Sequence, residues 1–251
     1  MKKNISLISI LFVVTFLSCK KNDDAPKIYN GSPVQIGNGR VHTFITFDAN
    51  NNPSSIGIRL SADALSGLPD HGDPEMGGML PGYMLPLPEQ AAASGFDHCE
   101  IDWNPQGHEP LFAYGVPHFD FHFYMITPQE QAAVIPGPDT IPVDPQYVPK
   151  DYVSGMMAVP DMGTHWSDTT APEFNGQPFT ATFIYGFYHG NMTFLEPMIT
   201  KTFLETKTDF TLQVKQPQAF QKQGYYPKQM HEYFDNQSGE YVVALEGLSY
   251  Q

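Results

Sequence analysis

The chain has 251 residues, of which 41% are hydrophobic and 16% charged, with 23 prolines and 21 glycines. That is enough apolar material for a sizeable core, in one all-β domain or two small ones. A formal net charge of −14 without a basic patch argues against nucleic acid as a partner and against adhesion of the folded body to anionic lipid.

Met1 to Ser18 reads as an export signal: Lys2 and Lys3 form the charged start, and Ile5 to Leu17 is an apolar run short for a permanent span. Its end, Phe16-Leu17-Ser18-Cys19, resembles a bacterial lipoprotein cleavage box, with Phe at the first position instead of Leu. Cys19 would then carry lipid, anchoring the chain to a membrane of the cell envelope without a spanning helix. Removing the signal takes away two lysines and no acid, leaving 11 basic against 27 acidic residues, or −16. With Cys19 lipidated, Cys99 stands alone. It alternates with polar neighbours and reads as a small core residue.

Residues 20–38 read as a polar tether and 39–251 as a single β-rich domain. Val, Ile, Phe, Tyr and Thr fill the periodic stretches, and long helical patterns are absent. The expected fold is mainly β, an antiparallel barrel or sandwich with a few short helices. Arg40–Asp48 and Ser54–Leu60 predict a hairpin. Short helical turns are expected after Ser61, after Pro88 and after Thr127, where Thr127, Pro128 and Glu130 spell a capping box. Phe179–Tyr188 and Met192–Lys201 predict a second hairpin turning at His189-Gly190, with Phe183 opposite Glu196. A strand is expected within 202–215 and a last one at Tyr241–Leu245.

Two strands carry the chemistry. In Pro117-His-Phe-Asp-Phe-His-Phe-Tyr124, period two puts Phe119, Phe121 and Phe123 on one face and His118, Asp120, His122 and Tyr124 on the other. Upstream, His98, Glu100 and Asp102 alternate with Cys99, Ile101 and Trp103. Antiparallel pairing of the two would bring both polar rows onto one face. His118, His122, His165 and His108 are the candidate metal ligands. Glu100, Asp102, Asp120 and Glu196 are the candidate catalytic carboxylates. His118 and His122 lie ~13 Å apart along a strand. They share one ion only if the strand bends; otherwise Asp120 is the central ligand or an outer partner and each imidazole serves its own centre. His165 is expected on a tight loop closing over the site. Glu196, between Phe194 and Met198 on an apolar face, needs a cation, a metal or a proton.

The blocks Asp102-Trp-Asn-Pro-Gln-Gly-His-Glu-Pro110, Val116-Pro-His-Phe-Asp-Phe-His-Phe-Tyr124, Met162-Gly-Thr-His165 and Thr193-Phe-Leu-Glu-Pro-Met-Ile-Thr200 resemble a family of exported bacterial proteins of unknown function. The resemblance groups these residues and implies no reaction. The histidine spacing is also similar, over a short stretch, to β-sheet zinc enzymes such as α-carbonic anhydrases and cupins, without their fuller patterns. A divalent metal, zinc or iron foremost and manganese next, would activate water for a hydrolase or lyase. The rival is a non-catalytic envelope protein that binds a small ligand or assembles with itself through its Met-, Pro- and aromatic-rich loops.

Overall fold

A computed structural model describes residues 26–72 and 80–251. The stretch expected as an export signal, and Cys19 with it, lies outside the described residues. Among the described residues seventeen strands occur in chain order: β1 (Lys27–Asn30), β2 (Val34–Ile36), β3 (Gly39–Phe47), β4 (Pro53–Ser61), β5 (Tyr83–Pro86), β6 (His98–Asn104), β7 (His118–Tyr124), β8 (Gly137–Pro138), β9 (Tyr152–Val159), β10 (Gly163–Asp168), β11 (Ala181–Tyr188), β12 (Asn191–Thr200), β13 (Phe210–Gln213), β14 (Tyr225–Tyr226), β15 (Gln229–Asp235), β16 (Glu240–Glu246) and β17 (Ser249–Tyr250). Three short α-helices join them, α1 (Leu111–Tyr114), α2 (Pro128–Gln131) and α3 (Lys201–Glu205). None of the helices described is long and apolar enough to cross a membrane.

The first sheet runs β1-β3-β4-β16-β15-β13, with β2 also paired to β3. The second runs β5-β6-β7-β12-β11-β10-β9-β8. The arrangement is sandwich-like, and neither sheet closes on itself among the described residues, so the barrel alternative falls away. Closure would need the second sheet's end strands to meet, and β8 has only two residues to offer.

Period two explains the core. The inward rows of the first sheet (Ile45, Ile56, Ile58, Val243) and of the second (Ile101, Phe119, Phe121, Phe123, Leu195) form one cluster, Cys99 among them. Each phenylalanine of β7 is fully buried, a contribution of about 1.5–3 kcal/mol apiece. The outer face of the second sheet is covered as well. There Tyr114, Tyr124, Phe179, Ile184, Phe194 and Met198 form a separate apolar cluster. Every residue of β7 is therefore buried, polar row included. That doubly covered sheet positions the site.

Several local expectations hold. Thr127 caps α2 in a complete capping box, a feature typically worth about 1 kcal/mol. His189 and Gly190 both take positive φ, 49° and 78°, as a two-residue turn of this twist requires.

Others are corrected. β1 and β2 lie inside the stretch expected as tether and pair with β3, so the folded body begins before residue 39. The edge row of β3 offered unpaired backbone groups, and the upstream chain satisfies them. β9 and β10 form where no strand is expected, with His165 on β10. β9 hides its strand character by exposing Val153, Met156 and Met157. Ser61 makes no cap to the 3-10 turn after it; its hydroxyl accepts from the Arg40 amide instead. Phe183 faces Pro197, and Ile184 faces Glu196. An irregularity between Gly186 and Phe187 shifts the register by one residue. The Phe194 ring occupies the space above Gly186, where a Cβ would come within 2.3 Å of it.

Candidate metal centre

β6 and β7 pair antiparallel with Glu100 opposite His122, Asp102 opposite Asp120 and Asn104 opposite His118. The two polar rows therefore share the outer face. On the other side of β7, β12 places Met198 opposite Asp120 and Phe194 opposite Tyr124, which sets Glu196 beside His122. β10, two strands further on, puts His165 opposite Gly186. His165 thus stands on a strand and not on a closing loop. The absent side chain at Gly186 leaves room for Phe194, which packs its ring 4.7 Å from His122 and 5.0 Å from His165.

Seven of the eight candidate residues separate into two groups, and Glu100 stands apart on Gln131. In the deeper one, His122 Nε2 lies 3.6 Å from Glu196 Oε1, and His165 Nε2 lies 3.6 Å from Glu196 Oε2. His122 Nδ1 is 3.1 Å from Asp102 Oδ2. Glu196 and His122 are completely buried, while the His165 side chain keeps 23% exposure. In the second group His108 Nε2 lies 3.3 Å from Asp120 Oδ2, and His118 Nε2 lies 3.2 Å from Asp120 Oδ1. Each group could hold a metal ion. His118 and His122 consequently fall into different groups, in keeping with their spacing on an extended strand.

Electrostatics tie the members of each group together. Burial pushes the Glu196 carboxyl up to about 8, though His122 pulls the other way. Burial opposes a charge on His122, but Glu196 and Asp102 outweigh it and raise the imidazole to about 10. His165 goes down to about 3 through burial and the neighbouring imidazoles of His122 and His108. Burial also works against His108, yet Asp120 lifts it to about 9. Burial favours the neutral form of Asp120, but His118 and His108 prevail and hold its carboxyl well below the usual range. Opposite displacement of two imidazoles around one carboxyl makes the cluster a functional-site candidate.

Hydrogen bonds around the rows are directional. Gln131 holds His98 and Glu100 together, with its carbonyl 2.9 Å from His98 Nε2 and its amide donating to Glu100 Oε2 at 2.7 Å. Burial and then Asp102 push the Glu100 carboxyl up. Asn104 donates to Asp120 Oδ2 at 2.7 Å. Neither Gln131 nor Asn104 figures in the expectations above. Asn104 simply continues the period-two row of β6. Gln131 comes from a separate helix, and no spacing signal points to it.

Comparison with known proteins adds little. A family model described as TTHB210-like, hypothetical protein TTHB210, matches residues 48–103. The similar segment carries β4 to β6, with Glu100 and Asp102 but without the imidazoles of either group. No curated protein and no solved structure matches the chain.

Proposed function

We propose that this chain is an exported, lipid-anchored metalloprotein in which His122, His165 and Glu196 hold a divalent ion, zinc or iron, that serves a hydrolase or lyase reaction. One observation carries the reading: His122 Nε2 and both oxygens of Glu196 are buried without any hydrogen-bond partner. Unpartnered buried polar atoms are costly, and an ion relieves all of them at once. Ligand atoms held about 2.0–2.2 Å from one tetrahedral ion stand roughly 3.3–3.5 Å from each other, close to the 3.6 Å separations here. Two histidines and a carboxylate with coordination positions left open suit zinc hydrolases and non-haem iron enzymes alike.

Asp102 behind His122 fits the outer carboxylate that orients a ligating imidazole and raises its basicity. An ion bound there would supply Lewis acidity and lower the pKa of water. Glu100, opposite His122 and only partly buried, would take the proton released. Its raised pKa moves it toward the range a general base needs. Anchoring rests on Lys2, Lys3, the apolar run and Cys19.

Elemental analysis of tag-free protein tests the metal reading. Stoichiometric zinc or iron is expected in the wild type, with loss of one equivalent in Glu196→Gln and in His122→Ala variants that keep the wild-type circular dichroism. Metal-free protein whose melting is indifferent to chelator and to added zinc would favour the non-catalytic rival. Exposed Phe112 and Met156, at 78% and 71%, would then be its contact surface.

A further inference from the structure

We propose a second cation site, made by His108, His118 and Asp120 and independent of the first, so that one chain holds two divalent ions. The two triads share no ligand.

His118 Nδ1 lies 2.6 Å from the Val116 carbonyl oxygen, and His108 Nδ1 lies 2.7 Å from that of Glu109. A carbonyl can only accept, so each Nδ1 carries the hydrogen. In both neutral rings Nε2 is then a bare lone pair. Both Nε2 atoms lie close to one carboxylate, at 3.2 and 3.3 Å. Three acceptors converge with no donor among them. Either each ring takes an additional proton or a cation sits between.

Burial and geometry favour the cation. His118 Nε2 and Asp120 Oδ1 are buried and have no hydrogen-bond partner. A protonated His118 would donate to Asp120, yet the two atoms are close without the alignment of a hydrogen bond. Alignment matters to a hydrogen bond, which weakens steeply off-line. An ion needs only that both lone pairs converge on it, and the separations match those expected around a single ion. Asn104 fixes the carboxylate by donating to Oδ2, and the two main-chain carbonyls fix the rings, as outer partners do for metal-bound imidazoles. Tyr114 and Phe179 pack edge-on against His118 and its surroundings, a dry wall that strengthens attraction between an ion and its ligands.

This centre is nearer to solvent than the first. His108 comes from the loop before α1, and its side chain is 35% exposed. Loops open more readily than packed strands. The second ion should therefore exchange faster and bind more weakly than the one at Glu196.

The test loads tag-free, metal-stripped protein with zinc alone and counts ions per chain after gel filtration. Wild type is expected to keep two, Asp120→Asn one and Glu196→Gln one. His108→Ala, altering a partly exposed loop residue, covers the case in which Asp120→Asn fails to fold. It should lower affinity for the second ion at least tenfold and leave the first alone. One ion in wild type, kept by Asp120→Asn and His108→Ala and lost by Glu196→Gln, overturns the second site and leaves the first standing. Two ions that both survive Asp120→Asn and His108→Ala overturn it as well. One ion lost in His108→Ala and kept in Glu196→Gln supports this site and rejects the other.

Discussion

Glu196 and Glu232 are equally buried, each with no exposure and no hydrogen-bond partner on either oxygen. Burial raises each to about 8. Their surroundings differ. Glu196, on the outer face of the second sheet, is met by imidazoles on two sides. Glu232 lies on β15 in the row of Met230, which faces the core between the sheets, opposite Phe210 and Val243. Its charged neighbours are His231, which lowers it, and Asp209, which raises it. Burial alone therefore does not make a site. A converging set of donor atoms does, and only Glu196 has one.

The contrast can be broken or sharpened by substitution, beginning with the largest effect. Glu196→Gln removes the central ligand and should abolish the deeper ion, measured as zinc per chain. Glu232→Gln should leave the zinc count unchanged, and a loss there would erase the distinction. Asp102→Asn should weaken the deeper ion about 10–100-fold by titration with a competing chelator, the usual cost of an outer partner to a ligating histidine.

Gly186→Ala sharpens the same side. Its methyl would collide with the Phe194 ring, so about 1–3 kcal/mol of stability should be lost, as for other overpacked cores. Zinc affinity should fall with it, because Phe194 contacts both His122 and His165. Chemical denaturation and zinc titration read the two effects.

Glu232→Gln leaves zinc untouched, and its effect on stability depends on pH. The carboxyl titrates at about 8 when folded, against an ordinary value of 4.5. A raised folded pKa gives stability that is complete below 4.5 and lost as pH climbs through about 8. The wild-type melting temperature should therefore decline between pH 5 and pH 9 in metal-free protein. Glu232→Gln should flatten that decline, melting above wild type at pH 9 and close to it at pH 5. Equal slopes would show that Glu232 pairs with a cation after all.

Much of the site can be read from the sequence because it lies on strands. The alternation of His118, Asp120 and His122 with three phenylalanines already separates a core face from a polar one, and β6 repeats it. Glu196 stands out because it interrupts an apolar row. The separation of His118 from His122 follows from their spacing, but the membership of the two triads is not legible in this way. It depends on β10 joining the sheet through β11, which brings His165 to Glu196 from far along the chain. β9 and β10 themselves escape notice because β9 leaves hydrophobic residues exposed instead of alternating them. The opposition of Phe183 and Glu196 fails for a local reason, the shift at Gly186, which comes from a ring packing on a glycine and not from the turn chemistry at His189-Gly190.

Anomalous diffraction from crystals grown with zinc reaches the central claim most directly. A peak is expected about 2.0–2.2 Å from His122 Nε2, His165 Nε2 and a Glu196 oxygen together. Density at that position without anomalous signal, with zinc bound only at surface carboxylates, would contradict it.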